Sequence, residues 1–180
     1  MKKDQVIKIL ALGLGCAVLV SGSNKITAQS TLPATAANLV GNGGITFVFA
    51  PTSDPSAFTI TSEGEAYLSL LGNCSEHAQL VAHFPTSAGQ LVALSGTVML
   101  TSSEGANSVT FSVTGTATPD PANAAFFNNT YQVTFTGGTG AFVSARGSGS
   151  ISEVVKFSSA LAGTGTWAIK GYVVHPPQGP

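Results

Sequence analysis

The strongest constraint on the fold is a period of two in side-chain polarity, repeated in short runs between glycine-rich turns. It is clearest in residues 131–152. Three apolar residues alternate there with polar ones, as in a half-buried strand: Tyr131, Val133 and Phe135. Residues 137–140 contain three glycines, whose tolerance of positive φ allows a tight reversal, and a second strand is predicted from Ala141. The segment predicts a hairpin, and it carries the only arginine of the sequence, Arg146.

The same alternation extends along most of the chain and predicts eight or nine short strands with no amphipathic helix. The clearest pair covers residues 90–101 and 108–118. Gly96 and Gly115 interrupt the apolar faces of these two strands, and such glycines permit the coiling that a closing sheet requires. Glu63 and Gly64 are interpreted as a turn. This spacing predicts an all-β domain, either a barrel or a β-sandwich.

The first residues resemble a targeting segment. Residues 1–8 hold three lysines, an apolar run follows over 9–20, and small residues come next. The run is shorter than the ~20 residues of a spanning helix, so residues 1–28 are predicted to be a signal peptide, with a retained anchor as the alternative. Residues 29–42 are predicted to form a flexible arm, residues 43–175 a β-barrel domain, and residues 176–180 a loose tail. The predicted location is secreted or periplasmic.

Composition limits the partners. Only 8% of the residues are charged, against ~25% in an average globular protein. Beyond residue 28 the chain has three basic and seven acidic residues, a net charge of −4. This argues against nucleic acid or an anionic membrane as a partner. Cys74 would then be the single cysteine, interpreted as a buried small hydrophobe rather than a reactive thiol.

The segment G-G-T-G-A-F-V-S-A-R-G at residues 137–147 resembles a signature of dirigent proteins, allene oxide cyclases and uncharacterised secreted bacterial proteins of the same barrel type. The bacterial group is the most similar. The resemblance implies a single closed barrel of about eight antiparallel strands, with the β-sandwich as the alternative. In dirigent proteins the arginine of this segment lies in the cavity and helps act on a quinone-methide-like ligand, which implies a similar place for Arg146. Ala141 stands where those proteins have an acidic residue.

The interior of such a barrel is either filled by side chains or holds one small ligand. The candidate ligand-binding residues are the arginine and five aromatic residues, with Phe47 as a further inward aromatic: Arg146, Phe111, Phe135, Phe142, Trp167 and Tyr172. The alternative for Arg146 is an exposed position or an ion pair with a carboxylate such as Glu153. His77 and His83 lie six residues apart, about 20 Å on a strand, which is too far for shared metal ligation.

No motif assigns a catalytic residue, a metal site or a cofactor. The first interpretation is a secreted, non-enzymatic barrel that serves as a structural or small-ligand-binding module. The second is a dirigent-like or cyclase-like protein, an isomerase if it is an enzyme, that binds an apolar or phenolic ligand and steers its reaction. The predicted partner is a small apolar ligand, and the sequence leaves oligomerisation open.

Overall fold

The computed structural model describes residues 35–87 and 90–175, which form a closed barrel of eight antiparallel strands. The strands are β1 (Thr35–Pro51), β2 (Ala57–Leu68), β3 (Gly72–His83), β4 (Val92–Ser102), β5 (Ser108–Pro119), β6 (Phe126–Thr139), β7 (Arg146–Phe157) and β8 (Ala162–His175). Each strand pairs with the next one, and β8 returns to pair with β1. The predicted all-β barrel is therefore confirmed. The predicted signal peptide and tail lie outside the described residues.

Alternation along each strand builds the core. On β4 and β5 the inward residues are those that the sequence pattern placed on one face, from Leu94 to Leu100 and from Val109 to Ala117. The apolar side chains of all eight strands meet inside the barrel as one cluster. Cys74 is among these buried residues, as predicted. Within the described ranges, no helix has the length and apolar character needed to cross a membrane.

Three predicted boundaries differ from the structure. The turn predicted at Glu63 and Gly64 lies inside β2, and the chain reverses instead between Leu68 and Gly72. Gly64 allows β1 and β2 to approach closely, because a Cβ atom at this position would overlap the carbonyl oxygen of Gly44 in β1. In the ladder on the opposite edge of β1, this strand begins at Thr35 within the predicted arm, since residues 35–42 pair with β8.

The third difference is the connection between β6 and β7, which closes one end of the barrel. β7 begins at Arg146 rather than Ala141, and a 3₁₀ turn occupies Gly140–Phe142. Gly140 adopts a left-handed φ of 56°, and a Cβ there would collide with Asn107. The Asn107 side chain instead accepts a hydrogen bond from the backbone N–H of Ala141 at 2.9 Å. We call the connection at residues 140–145 the plug. It is held in place by the hydrogen bond to Asn107, and it buries the side chain of Phe142.

Candidate functional site

The half of the barrel next to the plug is packed. Phe111 and Phe135 are fully buried there, with ring centroids 5.3 Å apart. Three valines in the same half of the core are buried as completely as these rings: Val109, Val133 and Val173. This half of the interior therefore has a structural role.

The other half contains an inner cavity of about 70 Å³. Its walls are apolar, and the strands present only methyl groups at Ala82 and Ala117, which leaves the space open. Aliphatic and aromatic side chains complete the wall, including Ile45, Phe47, Ile60, Leu94 and Val155. A pocket with apolar walls and a few polar groups is the usual form of a small-molecule site.

Four polar side chains line the inner cavity. Asn129, Tyr131 and Glu153 form what we call the polar floor, and Ser62 lies on the wall. The Tyr131 hydroxyl donates to Glu153 Oε2 at 2.8 Å, and Asn129 Nδ2 donates to the same oxygen at 2.9 Å. Asn129 Nδ2 also lies 3.3 Å from the Tyr131 hydroxyl oxygen. Asn129 is only 7% exposed, and its Oδ1 has no hydrogen-bond partner among the described residues. A buried acceptor left without a donor costs about 1–3 kcal/mol, so this atom marks a position for a ligand or water group.

A second buried carboxylate lies nearby. Glu76 on β3 accepts a hydrogen bond from Trp167 Nε1 on β8 at 2.5 Å. Trp167, Tyr131 and Glu153 line a smaller cavity of about 30 Å³ between the packed half and the inner cavity. The two buried acids therefore belong to one polar region in the middle of the barrel.

Burial changes the acidity of these groups. It raises the pKa of Glu76 to about 7; the Trp167 hydrogen bond opposes this shift and the charge of Glu153 adds to it. Burial likewise raises the pKa of Glu153, against the hydrogen bonds from Asn129 and Tyr131. The pKa of Tyr131 is raised by burial and by the Glu153 charge. At neutral pH the region can thus hold carboxyl groups in the protonated form.

Six phenylalanines surround the mouth of the inner cavity, and we call this the aromatic end: Phe47, Phe49, Phe58, Phe84, Phe127 and Phe157. Neighbouring rings in this group have centroids 5.2–6.5 Å apart. An outer groove of about 310 Å³ lies over them, lined also by residues 159–161. The groove and the inner cavity share four of the rings, those of Phe49, Phe84, Phe127 and Phe157. The two spaces therefore adjoin at these rings.

The structure brings only part of the predicted site together. Phe47 lines the inner cavity, and Trp167 and Phe111 line the smaller cavity below it. Phe135 lies in the packed half and Phe142 in the plug, so they contribute to the core.

Arg146 and Tyr172 lie on the outer surface, contrary to their assignment to the interior. Tyr172 is 50% exposed because strand alternation puts it on the face opposite Trp167. The Arg146 guanidinium donates to the carbonyl oxygens of Thr136 at 2.9 Å and Ala145 at 2.8 Å. The arginine therefore fastens the plug, and its predicted alternative partner, Glu153, faces the interior.

Sequence reasoning missed Asn129, Tyr131, Glu76 and Glu153 as site residues. The signal was present, since Glu153 lies between Ile151 and Val155, and Glu76 shares the parity of the inward face of β3. His77 is on the outer surface, 3.7 Å from Glu63, and no cluster within 35–87 and 90–175 has three or more metal-ligating side chains together.

No protein-family model matches this sequence, and no curated protein sequence matches it significantly. Among solved structures, the barrel is similar to that of the pterocarpan synthase dirigent protein GePTS1, with a TM-score of 0.47 and 14% sequence identity. The match covers 83% of this chain and 90% of that chain. Likeness at this level carries no activity from one protein to the other.

Proposed function

We propose that this protein is a secreted barrel that binds a compact, mainly apolar molecule through the aromatic end. The observation that carries the proposal is an apolar cavity whose floor presents a buried, unpartnered acceptor, Asn129 Oδ1. A barrel with only a structural role would gain stability from filling this space with side chains, as it does around Phe111 and Phe135. The predicted signal peptide supports a location outside the cytoplasm.

The two spaces set the size of the ligand. The inner cavity, about 70 Å³, is smaller than the ~150 Å³ known to hold benzene in another protein. A polar head with a few carbons would therefore occupy the inner cavity. The remaining body would lie in the outer groove of about 310 Å³, against the shared phenylalanine rings.

The buried acids favour a second candidate function, a cyclase-like or dirigent-like role in which the barrel also steers a reaction of its ligand. Glu153 lies at the end of an apolar cavity, and burial raises its pKa. A protonated carboxyl group placed against a bound ligand is suited to general acid catalysis. The resemblance of residues 137–147 to dirigent proteins and allene oxide cyclases supports this candidate, with Glu153 as the acidic group, since Ala141 stands where those proteins have one.

Fluorescence of Trp167, the single tryptophan of the sequence, provides the test. We expect toluene and naphthalene to change its emission in the full-length protein and to raise the melting temperature, with saturation. Ala117→Leu, inside the inner cavity, should weaken both effects, because it excludes the part of the probe that enters this cavity. Ala93→Leu, on the outer face of β4, and Arg146→Ala, at the plug, should leave them intact. Unsaturable responses, or responses equal in Ala117→Leu and Ala93→Leu, would exclude this site.

A further inference from the structure

Within residues 35–87 and 90–175, the interior of the barrel holds acidic side chains and no basic side chain to balance them. Among the described residues, the buried polar or charged side chains are Ser62, Glu76, Ser108, Asn129 and Glu153. Two of these five are carboxyl groups and none is basic. The three described lysine and arginine side chains, Arg146, Lys156 and Lys170, are exposed. Buried carboxylates are normally paired with a cation, so a cationic ligand would supply what the chain itself omits.

The hydrogen bonds of the polar floor leave an acceptor free rather than a donor. Tyr131 has one hydroxyl hydrogen and directs it to Glu153 Oε2. Asn129 has two amide hydrogens, and these point to Glu153 Oε2 and the Tyr131 hydroxyl oxygen. Asn129 Oδ1 remains without a partner, and the Ser62 hydroxyl on the cavity wall can act as donor or acceptor. A ligand carbonyl would find no amide or phenol donor at this floor, whereas a ligand N–H would find an acceptor.

We propose that the ligand is a primary amine with a compact apolar body, whose ammonium group binds Asn129 Oδ1 and the Glu153 carboxylate. This inference rests on the proposed binding function. An ammonium group offers three hydrogen-bond donors and a positive charge, whereas an alcohol offers one donor and carries no charge. The apolar body of the amine would pass between phenylalanine rings, whose faces also attract cations.

Binding of an ammonium group should depend on pH, because Glu153 has to lose its proton to accept a hydrogen bond from it. Glu153 faces the Tyr131 hydroxyl from β6 and the charge of Glu76 from β3, and no basic side chain among the described residues faces it. Burial favours its neutral form, which is a donor. When the ammonium binds, Glu153 releases its proton to solvent and becomes an acceptor. Amine affinity should therefore rise as pH rises through the range in which the buried carboxyl groups ionise.

Three probes of matched shape separate the alternatives: benzylamine, benzyl alcohol and toluene. Affinities are measured by Trp167 fluorescence and calorimetry on the full-length protein at pH 5.5 and pH 8. At pH 8 we expect benzylamine to bind at least about tenfold more tightly than benzyl alcohol, the factor that ~1.4 kcal/mol produces. At pH 5.5 this preference should shrink. Glu153→Gln keeps the shape of the side chain and should remove both the preference and its pH dependence.

The other possible results contradict the amine inference, the binding function or the role of Glu153. Equal or tighter binding of benzyl alcohol at pH 8 overturns the amine inference and leaves the binding function in place. Failure of all three probes, toluene included, overturns the binding function and with it the inference. If Glu153→Gln does not fold, the wild-type comparison at the two pH values still decides, because a pH-independent amine preference contradicts the role of Glu153.

Discussion

Filling the inner cavity should both stabilise the barrel and block its site. Ala117 lines this cavity and lies opposite Asn129 in the β5–β6 ladder, so Ala117→Leu directs new methyl groups toward the void and the polar floor. A cavity in a protein core costs about 24 cal/mol per Å³. For about 70 Å³ this amounts to ~1.7 kcal/mol. Loss of rotamer freedom in the leucine side chain opposes this gain by roughly 0.5–1 kcal/mol.

We therefore expect Ala117→Leu to raise the free energy of unfolding by about 1 kcal/mol, seen as a melting temperature roughly 3 °C higher. Urea denaturation monitored by Trp167 fluorescence measures it. The matched control is Ala93→Leu on the neighbouring strand. Because this side chain is exposed, the free energy of unfolding of the variant should stay within about 0.5 kcal/mol of wild type. If the interior is in fact filled, the added carbons overpack it and destabilise by about 1–3 kcal/mol. A loss of that size in Ala117→Leu alone would refute the cavity and the proposed function.

Two further predictions concern other parts of the barrel. The pKa of Glu76 is raised from 4.5 to about 7 on folding, so the folded state binds this proton more tightly. The contribution of Glu76 to the free energy of unfolding is therefore fully present below pH 4.5 and is lost as pH rises through 7. That shift corresponds to roughly 3 kcal/mol, and urea denaturation of wild type against Glu76→Gln at pH 5 and pH 8 should show a smaller pH dependence in the variant. Gly64→Ala should destabilise by at least about 2 kcal/mol or prevent folding, because its Cβ would meet the backbone of β1, whereas Gly44→Ala, with no atom nearer than 3.9 Å, should be far milder. Thermal melts of the two glycine variants test this, and equal melting temperatures would show that β1 and β2 are not that close at Gly64.

The architecture could be predicted from the sequence because it depends on local alternation. The parity on β4, β5 and β8 needs only nearest neighbours in the chain, and it correctly separates Trp167 from Lys170. The start of β1 could not be predicted in this way. Residues 35–42 show no regular alternation of apolar and polar side chains, and their pairing with β8 joins segments about 130 positions apart in the sequence.

The site was harder to predict because charged residues are expected outside. Glu76 and Glu153 were not among the candidate site residues, although their neighbours two positions away are buried. Arg146 was assigned to the interior from a resemblance, while its even-numbered position on β7 directs it outward, as for Ser152 and Lys156. Alternation predicts the correct face at all three positions, whereas residue type misleads for the two glutamates and the resemblance misleads for Arg146.

The ladder between β1 and β8 gives the barrel a seam that differs from its other ladders. Every other pairing in the described sheet joins strands that follow one another, so each can form as a local hairpin. Closing the seam brings together the two ends of the domain, at the highest loop-closure entropy of any pair. Gly43 meets Trp167 at this seam and makes room for the indole, which places the single tryptophan where the ring closes. Of the eight strands, β8 is synthesised after the other seven, and until it pairs, β1 presents an unpaired edge that can recruit a strand from another chain.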